Sequence, residues 1–552
     1  MKRVLICIFC ICFMHNLFGQ VASYINPILQ GSYPDPSICK VKDTFYLVNS
    51  TFEYFPGLPI HKSTDLVNWE LIGHGLHRED QCKTAVNLVD VQSNGGIHAP
   101  SIRYKNGTYY IITTNVYYHE DLKKTDFVNF ILTATDPAGP WSDPIVIDGA
   151  PGIDPDIFFD EDGKVWYTGT RMPDDPSFNG EGQIWMQELD PESYQLVGEE
   201  YLLWRGACGG VWAEGPHIYK KDDYYYLMIA EGGTSYNHAV MIAVSDKITG
   251  PYIPNDRNPI FTARHLSYDH WVHSIGHADL IEVDTGRWYM VSLGVRGDLE
   301  RGSNMGRETH LFPVDWEQEP FEWKQNRYWW PVVSKVSGRP ERIYESPYGK
   351  VQTKYNYADD FSGSKLDNAW NFRRVPKHGM YQLDQMEKVL RVYGDYGLPG
   401  ERQQASWLGI RQTESDFSFS FSMGIESDLK DVSAGLCFVQ KDDNFLFWNI
   451  SKQGDQKSLE LLLKIPGEDE KILKTMELND FQEQIWFKLE SENDQYILSY
   501  SLDGEQFEDW HSVKANMLLC KGYTGAYLGF SVVGKGTSAE FDNVLYEPVV
   551  RN

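Results

Sequence analysis

A chain of 552 residues is too long for one ordinary hydrophobic core, so two domains are the natural expectation. A formal charge of -28 argues against nucleic acid and anionic membrane surfaces, which reward basic patches, and is compatible with a neutral ligand. Aromatic residues make up 14% of the chain, and Gly and Pro are spread throughout, as many short strands and tight turns require.

The first stretch reads as a secretory signal over residues 1–19. Lys2 and Arg3 are basic, Val4 to Met14 is apolar, and Gly19 and Gln20 provide a small-residue exit. The apolar run is well short of the roughly 20 residues that span a bilayer. Export to the periplasm or medium, with no membrane insertion after signal removal, is the expectation. Cys7, Cys10 and Cys12 leave with the signal. Cys39, Cys82, Cys208, Cys437 and Cys520 remain, scattered and odd in number, which predicts buried free thiols rather than a disulfide framework or a metal site.

Five segments then repeat one pattern, in which an apolar residue and a polar turn precede an aromatic-rich strand. Taking Ile38, Ile102, Ile157, Ile218 and Leu280 as register marks, the steps are about 64, 55, 61 and 62 residues. Each step holds four strands and their loops, and no helical periodicity lies between the marks, so residues 20–335 predict a five-bladed β-propeller. The Asp160-Glu161-Asp162-Gly163 stretch falls between two repeat strands and predicts a hairpin turn rather than a calcium loop. Residues 336–356, with Gly338, Pro340, Pro347 and Gly349, read as a linker. Alternating strands over 357–552 predict a jelly-roll (concanavalin-like) β-sandwich, making the chain all-β.

The register marks also align the ionisable residues ahead of them. Asp35, Asp154 and His277 stand three residues before their marks, and His98 and Glu214 stand four before theirs. Inner strands of a propeller line its axis, so equivalent positions at their starts converge on one site. An Asp before Pro, as at Asp35-Pro36 and Asp154-Pro155, is often only a turn former. Turn chemistry does not ask for Glu at 214. Carboxylates forced together repel, so at least one holds its proton near neutrality. Glycoside hydrolysis needs that division, with an acid for the leaving oxygen and a base for water. Asp35 is the candidate base, Glu214 the candidate acid, and Asp154 the neighbour that tunes and orients Glu214.

The segments Tyr33-Pro34-Asp35-Pro36-Ser37, Gly152-Ile153-Asp154-Pro155-Asp156 and Trp212-Ala213-Glu214-Gly215-Pro216-His217 resemble those that carry the base, the pKa modulator and the acid of glycoside hydrolase family 43. His98-Ala99-Pro100, Gly276-His277-Ala278 and Gly306-Arg307-Glu308-Thr309 fit the same resemblance, which covers about residues 25–335. It implies an inverting single displacement, an arginine (Arg307) in the sugar pocket, and no required cofactor. At His277 it leaves open either a calcium ion in the channel or a neutral, hydrogen-bonded histidine. The second region resembles the sandwich of β-xylosidases and α-L-arabinofuranosidases of that family, where an aromatic closes the pocket. Tyr527 matches it, which implies exo action on terminal pentosyl units. Phe52, with Tyr54 and Phe55, offers stacking faces for a sugar. His98 stands where the β-xylosidases have Trp, which puts a xylose preference in question and leaves arabinofuranose open.

Two other readings compete. A carbohydrate-binding propeller without catalysis has no need for an acid and a base. A five-bladed fructosidase would use the first Asp as nucleophile, but its relatives carry Cys after the acidic Glu, where Gly215 stands in this chain.

Overall fold

The register residues Ile38, Ile102, Ile157, Ile218 and Leu280 are all buried, each in the first strand of its own antiparallel sheet. A computed structural model describes residues 22–298, 302–320, 326–425, 431–479, 481, 483–520 and 523–549. The proposed signal therefore lies outside the described residues. The inner strands are Ser37–Val41, Gly96–Lys105, Ile153–Phe159, Glu214–Lys221 and Val272–Asp284. Each packs against the next, and the fifth returns to the first, closing a ring of five blades. In every blade the later strands follow in sequence order outward. The residues around Asp160 form the hairpin between Ile153–Phe159 and Val165–Arg171. Helical structure among the described residues is confined to two short 3₁₀ turns, Glu79–Cys82 and Ala515–Leu518.

The ring is fastened at its axis by one side chain. Side chains alternate along a strand, so the residue before and the residue after each register mark share a face. Those positions place Ser37, Asp156, His217 and Asp279 around Arg103. Its Nη2 lies 2.7 Å from Asp156 Oδ2, and its Nη1 lies 2.8 Å from Asp279 Oδ2 and donates to Ser37 Oγ at 3.1 Å. His217 Nδ1 sits 2.8 Å from Asp156, and Tyr219 donates to the second oxygen of Asp279 at 2.7 Å. All five blades thus contribute to one buried network. Burial alone would raise the Asp279 carboxyl, but Arg103, His217 and the Tyr219 hydroxyl hold it well below the ordinary carboxylate range.

The chain from 343 onward does not hang free. Ile343–Glu345 pairs with Ser23–Ile25, which ties the start of the propeller to the exit toward the second domain. That domain is a β-sandwich of two large sheets around a core that includes Phe419, Phe421, Trp448, Phe487 and Phe530. One of its sheets ends on a strand from the propeller, Tyr54–Phe55, which pairs with Phe372 and Arg373. Of the cysteines, Cys39, Cys82 and Cys437 are buried free thiols as expected, whereas Cys208 is exposed because its Gly-rich turn leaves it on the surface.

Arg103→Met leaves Asp156 and Asp279 as buried carboxylates without their cation. The expected loss is about 3–5 kcal/mol of unfolding free energy, read from the urea midpoint; a midpoint equal to wild type would mean that Arg103 does not fasten the ring.

Candidate active site

At the top of each inner strand the backbone turns left-handed at an equivalent position. Asp35, Ala99, Asp154, Gly215 and His277 have φ of 49°, 30°, 55°, 57° and 45°, and each stands three residues before its register mark. Ladder register shifts accompany the turn in blades 2 to 5. A bulge at a strand start re-aims the side chains around it, and its repetition aims five of them at one spot. The structure also explains the sequence offset. Where the left-handed residue is Ala99 or Gly215, the ionisable group is its predecessor, His98 or Glu214. Gly215 has to be glycine, because a Cβ there would lie 2.9 Å from the His277 ring.

The carboxylates have different surroundings. Asp35 is buried, accepts a 2.6 Å hydrogen bond from Ser50 Oγ, and lies 3.3 Å from Arg307 Nη1. Burial pushes its carboxyl up, but Arg307, His277, the Ser50 hydroxyl and His98 outweigh that and leave it below its ordinary value. Asp154 accepts the Gly215 amide at 3.1 Å and is pushed well above its ordinary value by burial, then by the charges of Glu214 and Asp35. Glu214 keeps partial access to solvent, and burial followed by Asp35 raises its carboxyl to about 7. Arg307 acts electrostatically on all three. The surroundings thus favour the charged form of Asp35 and the protonated forms of Asp154 and Glu214.

Residues outside the first-strand pattern complete the site. Ser50 also accepts the Ala99 amide at 2.7 Å, coupling blades 1 and 2. His238 is buried and faces Glu214 at 3.9 Å through Nε2, which has no hydrogen-bond partner; burial lowers this imidazole to about 3. Thr234 accepts from Arg307 Nη1 at 3.0 Å. None of these belongs to an inner strand, so the register argument could not reach them. Only an unassigned histidine ahead of the Ala239–Ser245 strand was there to be noticed.

Among the substrate-contact candidates, His98 lies edge-on to Phe52 and hydrogen-bonds the Asn94 carbonyl through Nε2 at 3.1 Å. Burial lowers it to about 4, so it is neutral. Two expectations need correction. Tyr527 does not face the pocket. It is 1% exposed and stacks on Tyr54 at 4.1 Å within the domain seam, because it opens a strand whose inward face it occupies. The sandwich aromatic at the pocket is Tyr523, in the loop before that strand, with the Arg307 guanidinium 4.6 Å from its ring. Phe52 is 1% exposed and lies under Tyr523, ring to ring at 5.3 Å, so it supports that ring rather than offering a face. Tyr54 and Phe55 are likewise core residues.

His277 packs against Gly215 and acts on Asp35, and burial lowers it to about 4. Among the described residues no group of three or more His, Cys, Asp or Glu side chains is spaced to hold a metal ion. The charge on the axis belongs to Arg103. On the solvent side of Glu214 a cavity of about 680 Å³ is walled by Phe127, Met172 and Trp212. The Trp212 indole is 40% exposed and lies over Gly180, where a Cβ would come within 2.5 Å of the ring.

Both regions of the chain have counterparts among known proteins. Residues 24–321 match the model of Glycosyl hydrolases family 43, and residues 358–547 match the Beta xylosidase C-terminal Concanavalin A-like domain. A xylosidase/arabinosidase of Butyrivibrio fibrisolvens is 40% identical over 439 residues, 78% of this chain and 80% of that one. A non-reducing end alpha-L-arabinofuranosidase of Bacteroides ovatus is 37% identical over 447 residues, 80% of this chain and 79% of that one. Among solved structures, the xylan beta-1,4-xylosidase from Bacillus halodurans superposes with a TM-score of 0.84 at 28% identity, covering 95% of this chain and 100% of that one.

Ser50→Ala removes the hydroxyl that donates to the Asp35 carboxylate. Its titration, followed by carbon-13 NMR of labelled aspartate carboxyls, is expected to move to higher pH; an unmoved titration means that Ser50 does not stabilise the charge.

Proposed function

The chain belongs to glycosyl hydrolases family 43, and on that premise we propose that it removes single terminal α-L-arabinofuranosyl or β-D-xylosyl units from hemicellulose oligosaccharides, with inversion at the anomeric carbon. The observation that carries this reading is the contrast in surroundings, with Ser50 Oγ at 2.6 Å and Arg307 Nη1 at 3.3 Å on Asp35 and neither on Glu214. Asp35 is held charged by Arg307 and Ser50, while Glu214 is raised to about 7 beside Asp154.

In this reading Asp35 takes a proton from a water as its oxygen bonds to the anomeric carbon. The glycosidic C–O bond breaks on the opposite face, and Glu214 gives its proton to the departing oxygen. Inversion requires the two carboxyls to stand roughly 6.5–9.5 Å apart, which leaves room for that water. Asp154 is the positioning residue. Its bond from the Gly215 amide orients the strand start that carries Glu214. Tyr523 and Arg307 wall the end of the pocket, which supports exo action on one terminal sugar. The groove under Trp212 reaches the acid from outside, where a leaving oligosaccharide would lie. Arabinofuranosyl release is the favoured activity. His98 replaces a flat apolar wall with a polar edge, and the two relatives at 40% and 37% identity both carry arabinosidase or arabinofuranosidase in their names. Action in the periplasm or medium is part of the same proposal and rests on the apolar Val4 to Met14 run.

Four measurements test it. Glu214→Gln is expected to lower kcat on an unactivated arabino-oligosaccharide by about 10²–10⁴, and proton NMR should find the inverted anomer first. Full turnover by that variant, or a retained anomer, contradicts the roles of Glu214 and Asp35. The pH profile of kcat/KM should fall as pH rises through about 7, because Glu214 then loses the proton it must donate. Its acidic limb should lie below the ordinary carboxylate range, because the Asp35 carboxyl is lowered. Trp212→Ala should raise KM for a trisaccharide several-fold while leaving that for a nitrophenyl pentoside close to wild type; equal effects on both would place the leaving group elsewhere.

A further inference from the structure

Away from the acid cluster, a cavity of about 730 Å³ opens at the seam where blade 1, residues 352–358 and the sandwich meet. Arg411, at the end of the sandwich strand Trp407–Arg411, lines it and is 5% exposed. Four other buried arginines each have a carboxylate: Arg296 has Glu308 and Glu414, Arg307 has Asp35, Arg373 has Glu53, and Arg374 has Asp442, and the half-buried Arg103 has Asp156 and Asp279. Arg411 forms no ion pair with a carboxylate among the described residues. Its Nε donates to the Ser32 carbonyl at 2.9 Å, and its Nη2 is buried with no hydrogen-bond partner. The rings of Tyr33 and Tyr527, at 4.4 Å and 5.4 Å, supply only partial compensation.

Burying a guanidinium without a counter-ion is costly, and the cost is offset when an anion enters beside it. A planar fork with free N–H groups selects a carboxylate, which it can hold at two oxygens. The remaining walls suit a sugar. Trp69, Tyr33 and Tyr355 provide aromatic surface, and His61 is buried in the same cavity with Nδ1 unpartnered. The volume admits one or two sugar rings. The overall charge of -28 works against anions at long range, so any such affinity has to come from the cations in the lining, Arg411 and Lys354, against Asp367 in the same wall.

We propose that the seam cavity is a second carbohydrate site that takes a hexuronate unit, with its carboxylate on Arg411 and its ring against the aromatic wall. The choice of a sugar acid rests on the reading of the chain as a hemicellulose-trimming enzyme; the cavity by itself asks for a carboxylate beside aromatic rings. Sodium glucuronate would be titrated calorimetrically into the full chain carrying Glu214→Gln, with glucose, acetate and arabinose as comparisons. One saturable glucuronate site is expected. Glucose (no carboxylate) and acetate (no ring) should each bind about tenfold more weakly or worse. Arg411→Met and Trp69→Ala, each added to that background, should weaken glucuronate by about tenfold, and arabinose should not compete. Trp69→Ala keeps the test independent of the Arg411–Ser32 contact, since the Trp69 indole donates to the Leu66 carbonyl instead. Absence of saturation, equal binding of glucose, competition by arabinose, or undiminished binding in both variants overturns the proposal. Failure of the pentosidase reading shows separately, as wild-type inactivity on nitrophenyl pentosides, and leaves the glucuronate titration to stand or fall alone.

Discussion

The site depends on a guanidinium at the centre of a ring. Arg103 holds Asp156 and Asp279 from opposite blades, and through Ser37, His217 and Tyr219 it draws in the rest. Its partners are the residues immediately before the register marks. The left-handed residues that aim Asp35, Asp154, Glu214, His98 and His277 lie two positions further up the same strands. A side chain can be aimed this accurately only if the strand beneath it cannot slide. The ionic layer prevents that by tying all five strand starts to one group, and the reacting carboxylates inherit their spacing from it.

The second domain enters the site by an unusual route for a neighbour. Tyr54–Phe55 leaves blade 1 to become an edge strand of the sandwich, and Glu53, just before it, is fully buried against Arg373 at 2.8 Å. Asp442 takes Arg374 at 2.7 Å and accepts from Ser93, while the Asn94 amide donates to Glu53 at 3.1 Å. Residues 93 and 94 lead to His98, and Glu53 follows Phe52, so the buried network holds both flanks of the pocket. Burial raises the Glu53 carboxyl despite Arg373, so the network gains less in stability than its ion pairs suggest. What it contributes is position. The Tyr523 ring is thereby kept over Phe52 and Arg307, and the pocket has an end.

Much of this was legible from spacing. Five apolar marks at near-equal intervals predict the blades, and their alignment predicts which acids meet, because a propeller converts equal register into equal position. Resemblance to family 43 then attached roles to Asp35, Asp154 and Glu214. What spacing does not carry is the backbone turn at each strand start. The one-residue offset of His98 and Glu214 looks like noise in the sequence, yet it follows from a left-handed position filled by Ala99 or Gly215. His238, Ser50 and Thr234 were invisible for a related reason, since they arrive from other strands and loops. Tyr527 and Phe52 show the limit for aromatics. Alternation marks a strand but not which face is covered, and the covering ring, Tyr523, lies in the loop before the strand, where alternation does not reach.

The chemistry requires that carboxyls sharing one pocket keep different proton states, and in this pocket the difference follows from neighbours rather than from residue type. Asp35 and Asp154 are both aspartates at the same register position, yet Arg307 and Ser50 hold one charged while Glu214 and burial keep the other from ionising. Neutron diffraction from deuterated crystals in mildly acidic buffer locates those protons directly. Deuterium on the Asp154–Glu214 pair with none on Asp35 is the predicted result, and deuterium on Asp35 with a bare Glu214 would contradict it.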